Sequence, residues 1–191
     1  MYRYSFCALA LLLAIPAAAE RPSFNYVEAG YQEVDLDVSG LDVDGDGWFV
    51  SGSFEIGDDW FAFIGYSDTG FDFNVDLTQL NVGLGWRTGI SDSTDVFASA
   101  AYIDAEVDAP GVSGFDDSGY GVSVGIRSNV TDLIELYGAI AYSDLGDGAD
   151  GTEVGGGILF NVTDAFAVGL GASTDDDVTA YGVNARFYFG N

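Results

Sequence analysis

The stretch that decides the fold is GYGVSVGIRSNVTDLIELYGAIAYS, residues 119–143. On both sides of its central NVTD, large apolar residues alternate with small or polar ones, as where Val122 and Val124 alternate with Ser123 and Gly125. Because a strand sends successive side chains to opposite faces, this period of two indicates two strands. Asn and Asp favour tight turns, since their side chains hydrogen-bond the local backbone. The stretch therefore predicts a β-hairpin with one apolar face and one small or polar face.

The tetrapeptide NVTD occurs twice, at residues 129–132 and 161–164. The spacing between the two copies fits one hairpin, which consists of two strands and one longer loop. NVT also matches an N-glycosylation acceptor, but its place between alternating runs favours a turn. Extended along the chain, the same pattern predicts about ten strands. Their predicted spans are 24–36, 46–57, 60–73, 76–88, 94–107, 118–129, 133–146, 152–162, 165–174 and 178–189.

The predicted connections are of two kinds. The short ones are GDD near residues 57–59, TGISDS near 88–93 and both NVTD copies. The longer ones are acidic, for example DVSGLDVDG at residues 37–45. Consecutive antiparallel strands therefore place the short turns at one end of the structure and the acidic loops at the other. An even number of strands returns both termini to the turn end.

The charge balance is strongly acidic. The 191 residues include 31 Asp and Glu, 5 Lys and Arg and no His, for a net charge of −26. This excludes nucleic acid as a partner, because binding phosphates requires basic residues. Hydrophobic residues make up 48% of the chain, too many for a disordered protein. Without His there is no Ser-His or Cys-His nucleophile pair, so we expect no enzymatic function.

The first residues of the chain have the pattern of a secretory signal peptide. Arg3 precedes the apolar run CALALLLAI, and small residues end at Ala19, just before Glu20. An uncleaved membrane helix is the weaker alternative, because the run is shorter than the ~20 apolar residues that a span needs. We therefore expect residues 1–19 to be cleaved and residues 20–191 to form one domain. Cys7 lies in the signal, so the mature domain can hold no disulfide.

The apolar face of the strands is too large, and the other face too poor in charge, for a soluble sandwich. A soluble sheet would expose many charged residues on its outer face, whereas here the minor face consists mainly of Gly, Ala, Ser and Asn. A membrane barrel inverts this arrangement, with apolar residues toward lipid and small or polar ones toward the lumen. Aromatic residues near the strand ends fit interfacial girdles. These residues are Trp48, Phe49, Trp60, Phe61, Trp86, Tyr142, Phe187, Tyr188 and Phe189.

The chain resembles small bacterial outer-membrane β-barrels of the OmpA/OmpX-like class. The segments that carry the resemblance are the signal peptide, NYVEAGYQEVDLD at 25–37, the Gly-x-Gly strands and AYGVNARFYFG at 180–190. The resemblance implies an all-β, closed, antiparallel, up-and-down transmembrane barrel in the outer membrane. Eight strands are usual in that class and remain the alternative to ten. It also implies export through the Sec pathway and a monomer surrounded by lipid and lipopolysaccharide. The barrel-assembly machinery would recognise Phe187 and Phe189 as the insertion signal.

Six charged residues are predicted to point into the lumen near the turn end. Strand alternation gives this orientation to Glu28, Glu55, Arg87, Arg127, Glu135 and Arg186. An unpaired charge in a narrow lumen is strongly disfavoured. The planar guanidinium of Arg is suited to pairing with carboxylates in such a place. We therefore expect a Glu–Arg network that plugs this half of the barrel; the alternative is separate charges in contact with water.

The acidic segment DVDGDG, residues 42–47, matches the first half of an EF-hand loop. Asp42, Asp44 and Asp46 would supply carboxylates, but the twelfth position is Ser53 where an EF-hand has Glu. We expect at most loosely bound Ca²⁺ or Mg²⁺ at these residues and at the neighbouring loops. A solvated acidic rim is the alternative, and no other cofactor is expected.

The sequence leaves open more than one function. The first is a structural or surface-interaction barrel that presents its acidic loops outside the cell. The second is a narrow, cation-preferring pore for ions or very small solutes, since barrels of this size leave little channel. A third is a secreted soluble barrel that holds a ligand. Conductance separates the first two, and a requirement for detergent separates both from the third.

Overall fold

The computed structural model describes residues 20–38, 41–111, 115–146 and 150–190. Within these residues the chain forms ten antiparallel strands, each paired with the next, and pairing of the first with the last closes a barrel. The strands are β1 (Tyr26–Val38), β2 (Leu41–Ile56), β3 (Trp60–Phe71), β4 (Val75–Ser91), β5 (Thr94–Asp108), β6 (Phe115–Thr131), β7 (Ile134–Asp144), β8 (Asp150–Thr163), β9 (Phe166–Thr174) and β10 (Val178–Tyr188). The prediction of ten strands is confirmed, and the alternative of eight is wrong.

The connections follow the predicted alternation. Short turns join the strands at residues 57–59, 92–93, 132–133 and 164–165, at the end where β1 begins and β10 finishes. A 3-10 turn, Asp72–Asn74, lies between β3 and β4 at the opposite end. No helix in the described residues is long and apolar enough to cross a membrane. The proposed signal, residues 1–19, lies outside the described residues.

Several strands extend farther at the loop end than predicted, whereas β3 and β7 end two residues earlier. β2 begins at Leu41, five residues before the predicted start at 46, and β6 begins at Phe115 where 118 was predicted. The prediction was wrong because acidic residues were taken as a loop signal. The strand pairing nevertheless continues through them, since Asp44 lies opposite Asp35 and Asp46 opposite Glu33. These carboxylates face outward, so they remain in water where the sheet extends past the apolar belt.

The outer face of the barrel is apolar along the middle of every strand. Side chains such as Ile64, Leu84, Val124 and Leu170 are each more than half exposed. An exposed apolar surface of this extent requires lipid around it rather than water. At the loop end of this belt lie the aromatic residues Tyr31, Trp48, Tyr66, Tyr102, Tyr120, Tyr142 and Tyr181. At the turn end lie Phe54, Trp60, Trp86, Phe160, Phe166 and Phe187.

Three aromatic residues that were predicted for the girdles point into the lumen. Phe61 and Tyr188 are buried, at 5% and 7% exposure, and Phe49 faces Gly30 across the inner surface. The reason is strand alternation: of two consecutive aromatics, such as Trp60 and Phe61, only one can face lipid.

The Gly-x-Gly runs accommodate aromatic rings inside the barrel. On the inner face a Gly lies directly opposite an aromatic residue of the neighbouring strand, as Gly125 does opposite Phe97. The Phe97 ring covers Gly125 so closely that a Cβ there would overlap it. The same arrangement holds for Gly30 with Phe49, Gly83 with Phe63, Gly85 with Phe61 and Gly157 with Tyr137. These glycines are therefore required by close packing of the lumen.

Candidate functional site in the barrel lumen

The turn end of the lumen contains two groups of buried ion pairs. In the first, Arg127 Nε donates to Glu135 Oε1 at 2.7 Å, and Arg186 Nε donates to Glu28 Oε2 at 2.6 Å. Glu135 links the two pairs, because Arg186 Nη1 lies 3.8 Å from its Oε1. The hydroxyl of Tyr188 donates to Glu135 Oε2 at 3.0 Å. Glu135 is only 1% exposed, so its charge depends on these partners.

The second group lies across the lumen and is centred on Arg87. Its Nη2 lies 3.0 Å from Glu55 Oε1, and its Nη1 donates to Asp95 Oδ2 at 3.0 Å. Asp95 is fully buried and also accepts a short hydrogen bond from Arg21 Nε. That hydrogen bond raises the pKa of Arg21, which lies before the first strand. The structure thus brings together all six predicted lumen residues and adds Asp95 and Arg21, which the sequence analysis missed.

We call these eight residues the ionic cluster: Arg21, Arg87, Arg127, Arg186, Glu28, Glu55, Asp95 and Glu135. Its four cations and four carboxylates balance. The cluster includes every Arg of residues 20–191, and the chain has no Lys. Pairing of equal numbers satisfies charges that would be costly to bury alone. The acidic excess of the protein therefore lies elsewhere, mainly at the loop end.

The residues before β1, 20–25, fold into the lumen and bind the ionic cluster; we call them the N-terminal segment. Arg87 Nη1 donates to the carbonyl of Pro22 at 3.2 Å, and Arg127 Nη1 donates to that of Ser23 at 2.9 Å. The backbone N–H of Phe24 donates to Glu55 Oε1 at 2.8 Å. In return, the Asn25 side chain accepts from the N–H of Glu55 at 2.8 Å. The segment is therefore held by its own backbone as an extended peptide ligand would be.

Phe24 is the apolar anchor of the N-terminal segment. It is 3% exposed, and its ring centroid lies 4.7 Å from that of Phe61 and 6.0 Å from that of Phe97. Guanidinium carbons lie over the same ring, with Arg127 Cζ 4.4 Å and Arg87 Cζ 4.8 Å from the centroid. Arginine over an aromatic face is a favourable arrangement, stronger when it is desolvated. Phe24 thus joins the segment to both halves of the ionic cluster.

Above Phe24 the lumen is open. A cavity of about 290 Å³ has Phe24 and Arg127 at its base, and Ser51, Asn81 and Ser99 on its walls. Two further cavities, of about 280 and 230 Å³, share some of its lining residues and extend toward the loops. Glu153 lines both of these cavities. The lumen is therefore blocked at the turn end and hollow at the loop end.

The DVDGDG segment does not form a loop. Residues 42–47 are part of β2, so the prediction of a loop over residues 37–45 was wrong for this part of the chain. Asp44 and Asp46 are exposed on the outer face, where Asp46 Oδ2 accepts a hydrogen bond from the Tyr31 hydroxyl at 2.6 Å. The side chain of Asp42 lies outside the described residues. Among the described residues, no group of three or more His, Cys, Asp or Glu is placed to hold a metal ion. Weak cation binding at this surface stays a prediction.

The two residues predicted as the insertion signal differ in their position. Phe187 lies in β10, faces lipid and is 51% exposed. Phe189 follows the end of the strand and is 39% exposed. Its N–H donates to the carbonyl of Asn25 at 3.1 Å, so the end of the last strand is bonded to the N-terminal segment.

Comparison with known proteins agrees with this architecture. The sequence matches the outer membrane protein β-barrel domain over residues 5–189. No curated protein sequence gives a significant match. The KdgM porin, solved in complex with disordered oligogalacturonate, has a TM-score of 0.51 and 10% identity, over 86% of this chain and 99% of that one.

Two other solved structures are also similar. The translocator domain of the autotransporter NalP from Neisseria meningitidis has a TM-score of 0.51 and 9% identity, over 88% of this chain and 90% of that one. Neisserial surface protein A has a TM-score of 0.49 and 18% identity, over 87% of this chain and 98% of that one. At these identities the KdgM and NalP structures show likeness of the fold alone, whereas the family match extends over nearly the whole chain. The protein therefore belongs to the outer membrane protein β-barrel domain family, and it is located in the outer membrane.

Proposed function

We propose that this protein is a closed barrel with a structural or surface-interaction role, and not an enzyme. The observation that carries the proposal is the filled periplasmic end of the lumen. There the ionic cluster and the N-terminal segment meet, with Asp95, Glu135 and Phe24 all at 3% exposure or less. An ion in transit would have to displace the N-terminal segment from these buried charges, which is energetically costly. Short turns mark this end as periplasmic and the longer loops as extracellular.

The extracellular surface supports a role in interaction. Outward-facing carboxylates surround the loop end of the barrel and form what we call the acidic rim: Glu33, Asp35, Asp44, Asp46, Asp104, Glu106, Asp116, Asp144 and Asp150. Phe73 stands beyond the rim, 81% exposed, with a φ of 67° that is rare for an aromatic residue. An exposed ring held in an unfavourable backbone conformation is a feature of contact sites more than of packing.

We also propose how the protein reaches the outer membrane. Residues 1–19 direct export through the Sec pathway and are then removed. The barrel-assembly machinery recognises the final strand with Phe187 and Phe189, and the monomer is then surrounded by lipid and lipopolysaccharide. Loosely held Ca²⁺ or Mg²⁺ at the acidic rim would reduce repulsion between its carboxylates.

Planar bilayer recording tests the closed state. The refolded mature protein should insert without steady conductance at moderate voltage. Insertion is checked independently by gel electrophoresis of unboiled and boiled samples, because a folded barrel migrates differently before heating. A steady, voltage-independent current from a correctly folded sample would exclude the proposal.

A narrow cation-preferring pore is the second candidate, and one observation favours it. The extracellular half of the lumen is hollow, and the cavity of about 230 Å³ is lined by Glu153 and Asp175 without an Arg. Carboxylates at a pore entrance attract cations and repel anions. Steady current with a reversal potential on the cation side would favour this candidate over the closed barrel.

A further inference from the structure

The N-terminal segment and the wall that holds it have the geometry of a bound peptide and its receptor. We propose that residues 20–25 are a detachable plug, and that the lumen contains a built binding site for an extended peptide with a Phe side chain. Withdrawal of the plug toward the periplasm opens a path through the barrel. This inference rests on the proposed closed state and adds a mechanism for leaving it.

The first argument is the kind of contact that holds the segment. Arg127 uses Nε for Glu135 and Nη1 for the carbonyl of Ser23. Arg87 uses Nη2 for Glu55, and its Nη1 is shared between Asp95 and the carbonyl of Pro22. Glu55 does the reverse, pairing with Arg87 while accepting from the N–H of Phe24. Each wall charge therefore keeps a partner when the segment leaves, although Asp95 then shares Arg87 with Glu55. A segment that was part of the barrel core would leave buried wall charges without partners when it withdrew.

The second argument is the position of Phe24. Its ring is the floor of the 290 Å³ cavity that is continuous with the extracellular half of the lumen. On its other side the segment continues through buried Pro22 to exposed Glu20 at the periplasmic mouth. The carbonyl of Glu20 accepts a hydrogen bond from Asn129 Nδ2 at 2.7 Å, at the edge of the barrel. Withdrawal of Phe24 with the rest of the segment would therefore connect the cavity to the periplasmic mouth of the barrel.

The third argument is the charge left behind. Arg21 leaves with the plug, and the wall then keeps three Arg and four carboxylates: Arg87, Arg127, Arg186, Glu28, Glu55, Asp95 and Glu135. The constriction changes from balanced to net negative. The open barrel should consequently prefer cations, and a rise in permeability should be accompanied by this selectivity.

The test is planar bilayer recording of the full mature chain with Phe24→Ala. We expect the fraction of time spent open to rise at least about tenfold over the unsubstituted protein, because truncating a buried Phe weakens its docking strongly. Phe63→Ala is the matched control: Phe63 lines the same cavity from the wall, so its truncation should enlarge the cavity and leave the barrel closed. Arg21→Gln serves as a second variant if Phe24→Ala does not fold, since Arg21 is partly exposed and tethers the plug to Asp95.

A synthetic peptide probes the binding site directly. The hexapeptide Glu-Arg-Pro-Ser-Phe-Asn, added on the periplasmic side of the open Phe24→Ala channel, should block it. The same peptide with Ala in place of Phe should not, and neither should block from the extracellular side. Three results would overturn the inference: a folded Phe24→Ala barrel that stays closed, equal opening by Phe63→Ala, or equal block by both peptides. Steady conduction by the unsubstituted protein would instead overturn the proposed closed state.

Discussion

The guanidinium of Arg127 lies 4.4 Å from the ring centroid of Phe24, and the two residues are separated by 103 positions in sequence. Through this contact the wall strand β6 holds the segment that precedes β1. Because Arg127 also pairs with Glu135, the plug is in direct contact with the buried ion pairs of the wall. Stability and permeability should therefore both respond to substitutions at these residues.

Glu135→Gln should destabilise the barrel. The substitution keeps the shape of the side chain but leaves Arg127 and Arg186 in a buried site with one carboxylate fewer. Removing one partner of a buried ion pair costs about 3–5 kcal/mol. Urea unfolding in lipid vesicles, followed by Trp fluorescence, measures the change. Glu106→Gln on the exposed outer face is the control and should have little effect; an equal loss in both variants would mean that the cluster adds no specific stability.

Gly125→Ala should also destabilise the barrel, for a steric reason. A Cβ at this position would overlap the Phe97 ring and approach the carbonyl oxygen of Gly138 at 2.7 Å. Forcing one extra carbon into a packed interior costs about 1–3 kcal/mol. The matched control is Gly52→Ala on the lipid-facing surface, where the nearest atom would be 3.7 Å away. If both variants unfold at the same urea concentration, the glycines are not needed for aromatic packing.

The acidic rim should be sensitive to salt. Asp35 and Asp44 lie directly opposite each other on the outer face of β1 and β2. Like charges in this position destabilise a sheet by about 0.2–1 kcal/mol. A double-mutant cycle with Asp35→Asn and Asp44→Asn should show repulsion at low ionic strength that disappears near ~1 M salt, where the Debye length is about 3 Å. A coupling that does not change with salt would contradict a purely electrostatic effect.

Asp95→Asn should loosen the plug while leaving the barrel folded. The carboxylate of Asp95 holds Arg21 of the segment and Arg87 of the wall, and Arg87 keeps Glu55 as a partner. Proteolysis from the periplasmic side should then cleave residues 20–25 faster than in the unsubstituted protein. Asp164→Asn, in an exposed turn at the same end, is the control. Equal cleavage rates in all three proteins would show that Asp95 does not hold the segment.

The arrangement of the wall could be predicted from sequence because strand alternation is a rigid geometric rule. It gave the inward orientation of Arg87, Arg127 and Glu135, and it explains why Gly-x-Gly runs face the lumen. The same rule places Asp95 on the inner face, because it lies two residues before Phe97 and four before Ser99 on the same strand. Asp95 was missed because acidic residues are so frequent in this chain that none stands out.

The plug could not be predicted in the same way. Arg21 and Phe24 lie in a segment without secondary structure, so no periodicity marks their orientation. Their partners, such as Asp95 and Arg127, are 74 and 103 positions away in sequence. Contacts of this kind depend on closure of the whole barrel. At the loop end the start of β2 was predicted too late. Its acidic residues indicated a loop, although the alternation of a strand continues through them.

The position of Phe24 in solution is the most direct test of the central claim, which is that residues 20–25 fill the periplasmic end of the lumen. NMR of the refolded mature protein in detergent micelles can measure it. We predict contacts between the ring protons of Phe24 and Phe61, and backbone order in residues 21–25 that equals that of the strands. Random-coil chemical shifts and fast motion of these residues, in a barrel that is otherwise folded, would contradict the claim.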